Sequence, residues 1–327
     1  MKKLLILLLA FSLLVYTPYI SGQAGEQGAE AIETSGPGMI NWSNGWIYAT
    51  GIAAPNPKFS LAQQRAGLVL GARKDAQRKL LETVKGVTIT SETVVQDFIT
   101  VSDIIKTSVR GMIVGAIMIG QPVFKPDGSC EVTMAMPIYP NLTQAIMADP
   151  QVRKKVEPPP APRQTYNYTP NTPTPPPPPP PPVNPPPPPV NPPPVNPPPP
   201  PPPPPSATES FPAGKSKWDG LVIDGRQSGL KPALLPVVYN EAGTVVYSQT
   251  HVNDQTTIKA GIVGYARDLD AAKRHFRVAE EPLVIIARGA RGTKKTDPVI
   301  SNQAAQYIQQ TEPSSGYLRN GRVMVVF

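Results

Sequence analysis

Alternation of apolar and polar residues marks two folded stretches in this chain. Trp46–Ala53 reads as a strand that Pro55 and Pro57 end. Ser60 then offers an N-cap, Gln63 completes a capping box, and Ala62, Ala66, Val69, Ala76, Leu80 and Val84 recur at helical spacing until Gly86. Val87–Thr90 predicts a short β-branched strand, 93–107 a second helix, and 112–124 a long strand. Pro126-Asp127-Gly128 is a hairpin turn, because glycine supplies the positive φ that a tight reversal needs. In the returning strand Val132, Met134, Met136 and Ile138 point one way and Glu131, Thr133 and Ala135 the other.

A second set of elements follows far downstream. Strands are predicted at 218–224, 233–239 and 244–248, the last two around the turn Asn240–Gly243. A short helix at 268–276, a β-rich run at 283–288, a helix to Gln310 capped by Ser301 and a closing strand at 321–327 complete the pattern. Both stretches predict the α+β class: two small domains, each an antiparallel sheet with helices on one face, at 41–147 and 217–327.

Between them, 148–216 is proline-rich and holds most of the chain's 46 prolines, interrupted by a repeated Val-Asn pair at 183–184, 190–191 and 195–196. Proline fixes φ and lacks an N–H, so the tract predicts polyproline II rather than helix or sheet. At about 3.1 Å per residue, some fifty residues span on the order of 150 Å, a linker long enough to hold two domains apart. At the N-terminus, Lys2 and Lys3 precede an apolar run, Leu4–Tyr16, too short to span a bilayer; residues 1–24 are expected to be a secretory signal peptide. Residues 25–40 read as a flexible lead-in. Export to the periplasm is the expected location, with outer-membrane association, and no cysteine follows the apolar run to carry a lipid.

Composition narrows the chemistry. One cysteine, Cys130, and two histidines, His251 and His275, leave no basis for a disulfide framework, a thiol-based zinc site or a multi-histidine metal centre. No phosphate-binding or dinucleotide glycine pattern and no nucleophile elbow occur, so no catalytic residue, cofactor or metal is assigned and the chain is expected not to be an enzyme. Met134 and Met136 read as core fillers. The pair Asp224 and Arg226 follows a strand end and reads as a stabilised turn or the start of a site. Net charge is +8, which favours anionic partners without implying nucleic acid. Within 288–295, Arg288, Arg291, Lys294 and Lys295 lie among glycines, either as a solvated connection or as a grip on anionic envelope polymer, peptidoglycan or lipid.

The segments Gly45–Gly51, Ala72–Leu81, Val109–Ile113 and Asp127–Val132 together resemble the Lpp-twenty outer-membrane lipoprotein family, and are similar to the N-terminal domain of flagellar assembly protein T. That resemblance covers only 41–147. It implies an envelope-associated, non-enzymatic domain with a role in outer-membrane or flagellar assembly, though the acylated cysteine of the lipoproteins has no counterpart here. The expectation is a periplasmic structural or adaptor protein whose two domains contact envelope proteins or peptidoglycan.

Overall fold

The computed structural model describes residues 30–158 and 211–327, apart from 57, 59 and 213. The expected signal peptide and the proline-rich core of the linker lie outside the described residues.

The first domain is a five-stranded antiparallel sheet, as expected. Its strands are β1 (Ile32–Ser35), β2 (Gly38–Asn41), β3 (Trp46–Ala53), β4 (Ile117–Phe124) and β5 (Cys130–Pro137), in the order β1-β2-β3-β5-β4. The lead-in therefore ends earlier than predicted, since β1 and β2 form a hairpin on the sheet's first edge. Helix α1 (Leu61–Lys85) covers one face. Its capping residues act as predicted: the Gln63 carboxamide oxygen accepts from the Ser60 backbone N–H at 3.2 Å and from the Ser60 hydroxyl at 3.0 Å. The buried line is Leu68, Ala72, Ala76, Leu80 and Val84. Ala66, assigned to the stripe, is exposed, and Val69 is half-buried, because a spacing of four tracks the contact with β3 better than the mixed spacing read from the sequence.

Small residues matter where α1 crosses β3. A Cβ at Gly51 would collide with the Ala72 carbonyl and the Ala76 amide, so helix and strand meet backbone to backbone. The crossing is also tied by Asp75, which accepts from the Ile52 N–H at 3.0 Å and pairs with Lys79 at 2.9 Å and Arg78 at 2.7 Å. Desolvation opposes ionisation of Asp75, but the bonds from Lys79, Ile52 and Arg78 outweigh it and hold the carboxyl at about 2. A depressed folded pKa contributes stability that is present above the ordinary value of 3.8 and lost as pH falls through about 2. Asp75→Asn is accordingly expected to lower the urea midpoint at neutral pH, with the gap from wild type closing as the pH falls through that window.

The predicted second helix is two helices, α2 (Val95–Ile99) and α3 (Asp103–Val114), and the long strand predicted from Met112 begins only at Ile117. The apolar run is shared between the end of α3 and β4, with Gly115 at the break. The predicted turn is present, with Gly128 at φ 82° and the Lys125 N–H donating to the Ser129 carbonyl at 2.9 Å. Beyond β5, α4 (Asn141–Ala148) ends the predicted first domain, and α5 (Pro150–Val156) occupies residues assigned to the linker. Asp149 caps α5 by accepting from Gln151 and Val152, at 3.0 and 3.2 Å.

The second domain keeps the α+β class but not the antiparallel sheet predicted for it. Its strands are β6 (Gly220–Asp224), β7 (Val238–Asn240), β8 (Val245–Tyr247), β9 (Gly264–Ala266), β10 (Pro282–Arg291), β11 (Asp297–Ile300) and β12 (Val323–Val326), in the order β8-β7-β11-β10-β6-β12-β9. The β10-β6, β6-β12 and β12-β9 ladders are parallel, as is β11-β7; only β10-β11 and β7-β8 are antiparallel. Parallel strands are buried on both faces and read as continuous apolar runs, and all four residues of β12 are buried. Leu221, Ile223, Val323 and Val325 enter the main core, while Val222, Met324 and Val326 form a separate layer with Ala272 of α7 (Leu269–Lys273). The remaining helices are α6 (Asp254–Ala260) and α8 (Asn302–Ser315), the latter capped as predicted by Ser301, whose hydroxyl accepts from the Ala304 N–H at 3.0 Å.

The two domains, expected to stand apart, are in contact. One continuous core runs through both, including Ile89, Trp42 and Leu142 of the first and Leu234, Val252 and Ile262 of the second. The Leu234 and Leu235 N–H groups donate to the Thr88 and Ile89 carbonyls at 3.0 and 2.8 Å, continuing backbone pairing across the boundary. Trp42 meets Tyr265 edge to face with centroids 5.6 Å apart, the Thr143 hydroxyl donates to the Ile258 carbonyl at 2.7 Å, and Arg153 of α5 pairs with Asp254 of α6 at 2.9 Å. The linker thus joins two parts of one packed body.

Candidate functional site

The predicted basic loop is the first candidate, and most of it has a structural task. Arg288 and Arg291 lie at the end of β10, where the β10-β11 register shifts between Ala287 and Gly289. Arg288 is half-buried, and the Arg291 guanidinium sits 4.5 Å from the Tyr239 ring centroid. Past β10 the chain turns onto the first domain. The Thr293 N–H and hydroxyl donate to the two carboxylate oxygens of Glu92 at 3.0 and 2.6 Å, and the Lys294 N–H donates to the Ser91 carbonyl at 3.0 Å. These bonds, with Lys294 nearby, hold the Glu92 carboxyl below its usual range. Lys295 is exposed with φ 56°. The four cations are therefore spread along a strand end and a seam, and an acid of the first domain already faces the loop.

The histidines do not assemble a reactive centre. His251 Nδ1 accepts from the Ser248 N–H at 3.2 Å, and burial lowers its pKa. Asp254, its sequence neighbour, is taken by Arg153. His275 Nδ1 accepts from the Arg277 N–H at 3.2 Å, with burial and the Arg277 charge lowering its pKa. Asp224 is forked to Arg226, Oδ1 to Nε at 2.9 Å and Oδ2 to Nη2 at 2.7 Å, which keeps its carboxyl below the usual range. Neither histidine lines the cleft beside that pair. Cys130 is buried, and burial with Glu131 beside it pushes the thiol up, away from the reactive thiolate. Met134 and Met136 are fully buried, as predicted for core fillers.

The surface that stands out was not singled out from the sequence. Ile47, Ala49 and Gly51 face α1, so their alternates face away from it. Cross-strand register places Met39 beside Tyr48, Ile117 and Ile119 opposite Ala135 and Thr133, and Ile52 and Val123 both opposite Glu131. On this face Met39, Ile52, Ile117, Ile119 and Val123 are each between 42% and 51% exposed. Isolated exposed aliphatics are ordinary; here Ile117, Ile119 and Val123 follow one another along β4, with Ile52 across Glu131 from Val123 and Met39 across Tyr48 and Ala135 from Ile117 on the same face. The neighbouring edge is β4, blunted by Gly120 at φ 72°, a register shift between Ile119 and Val123, and Pro122. Those devices discourage indiscriminate strand addition at that edge. The signal lay in the sequence: β4 is apolar at alternate and at intervening positions, which a strand packed on one side does not need.

The family described as Treponema pallidum Tp0624, second domain, matches residues 220–327, so the likeness is confined to the part of the chain that holds the mixed sheet. No curated protein matches the chain.

Proposed function

We propose that this protein is an exported, non-enzymatic structural or adaptor protein of the cell envelope, in which the two docked domains act as one body and the open face of the first sheet receives a protein partner. The observation that carries this reading is the exposed apolar row of Ile117, Ile119 and Val123, with Ile52 and Met39 on the same sheet face. A solvent-exposed row of that kind on a well-formed sheet is the mark of an interaction surface. A partner in outer-membrane or flagellar assembly is in keeping with the resemblance of 41–147 to the Lpp-twenty and flagellar assembly T domains. A second reading, capture of anionic envelope polymer by Arg288, Arg291, Lys294 and Lys295, has less support, because Thr293 and Lys294 bind the loop tip to Glu92 and Ser91.

The test combines fractionation with photo-crosslinking from Ile119 and Val123, using Gln306 on the exposed side of α8 as the control position. The expected result is a periplasmic protein with a discrete crosslinked product from the sheet face and none from Gln306. Retention in the cytoplasm, or equal products from all three positions, would sink the proposal.

A further inference from the structure

Three parallel strands of the second domain end level with one another: Asp224 of β6, Val326 of β12 and Ala266 of β9 share one row of the sheet. Ligands of sheets with parallel strands collect outside the carboxyl ends, where the loops diverge. Here the row opens into a cleft of about 500 Å³, walled on the far side by Ile32, Glu33 and Thr34 of β1. Three cations line it: Arg226 and Lys231 from the loop after β6, and Arg267 from the residue after β9.

Two of these cations are held in place. Arg226 is forked to Asp224 through Nε and Nη2, which leaves the Nη1 donors outside that pair. Arg267 donates from Nη1 to the Phe327 carbonyl at 3.2 Å and from Nη2 to the Ile32 carbonyl at 3.1 Å, and lies 4.1 Å from the Phe327 ring centroid. Lys231 is fixed through its backbone, its N–H donating to the Lys295 carbonyl at 2.9 Å. Among the described residues no carboxylate pairs with its ammonium group. The acid inside the cleft is Glu33, which accepts from the Trp42 indole at 2.8 Å. Desolvation raises its pKa against the lowering effects of Trp42, Lys231 and Arg267. Along the lining of the cleft, three cationic side chains therefore face one acidic side chain.

We propose that this cleft binds a small multivalent oxyanion, bearing phosphate or several carboxylates, with Lys231 as its principal anchor and Arg226 and Arg267 as preset donors. Held guanidinium groups bind oxyanions at little cost in ordering, and charge-assisted hydrogen bonds are the strong ones. The proposal rests on the cleft and stands apart from the envelope reading. Because β1 belongs to one domain and the cations to the other, an anion seated here also bridges the domain boundary.

The experiment is calorimetric titration of the full chain with inorganic pyrophosphate and, separately, with citrate, at low and high salt. Saturable binding of at least one anion, weakened by salt, is expected. Lys231→Gln and Arg226→Gln should each weaken it by about tenfold, the scale of one charge-assisted bond. Lys74→Gln, an exposed cation on α1, should change it less than about twofold. Lys231 is exposed, so Lys231→Gln should retain the wild-type melting midpoint without anion. Absence of saturable heat with either anion, or equal weakening by Lys74→Gln and Lys231→Gln, overturns the proposal.

Discussion

Cutting the backbone inside the proline-rich segment is expected to leave the two halves bound to each other. A protease site placed after Asn171 separates the described residues 30–158 from 211–327, and the fragments should co-elute in size exclusion and unfold in a single transition. The reason is the nature of the boundary. It combines a shared apolar core, backbone pairing of Leu234 and Leu235 with Thr88 and Ile89, and the doubly bonded Glu92–Thr293 contact. Gln249 adds a further tie, its side-chain amide donating to the Val156 carbonyl at 3.2 Å where the linker begins. Interfaces with a continuous core behave as one cooperative unit, unlike the smaller polar contacts of loosely tethered domains. Fragments that part on dilution, or that melt separately, would mean that the linker only keeps neighbours together. If the halves do hold, the linker length has no duty in setting their separation.

The sequence makes some of this legible and hides the rest for identifiable reasons. Features encoded by one or two local residues were readable: the Ser60–Gln63 cap of α1, the Gly128 turn and the Ser301 cap of α8 each form where the pattern placed them. The Asp149-Pro150 pair is an equally local start signal for α5, but the proline-rich composition just beyond it masked the helix. The parallel sheet was readable in principle, since Val323–Val326 and Leu221–Ile223 are unbroken apolar runs of the kind that strands buried on both faces show. The docking was not readable. Several of its bonds use main-chain groups of Thr88, Ile89, Ser91, Leu234 and Leu235, and any residue presents the same carbonyl or amide. The cleft escaped for a related reason: Arg226, Lys231 and Arg267 come from two loops and meet only because β6, β12 and β9 end in register.

The largest single-residue effect on folding is expected at Gly51. A methyl group there meets the Ala72 carbonyl and the Ala76 backbone, neither of which can swing aside as a side chain tip would. Relief requires α1 to move off β3, which opens the contacts of Leu68, Leu80 and Val84 along the same line and breaks the Asp75–Ile52 bond. Gly51→Ala is therefore expected to cost at least about 2 kcal/mol, at the upper part of the range for overpacking, and Gly51→Val to prevent recovery of folded protein. Gly67 supplies the contrast within the same helix. It is exposed, and a Cβ there meets nothing within 4 Å, so Gly67→Ala should stabilise by roughly 0.5–1 kcal/mol through helix propensity. Urea denaturation of the two alanine variants checks the pair, because each adds the same methyl group. Opposite signs tie the effect to the helix–strand crossing; a tolerated Gly51→Ala would mean that α1 and β3 are not in backbone contact, and the packing of the first domain as described would fall with it.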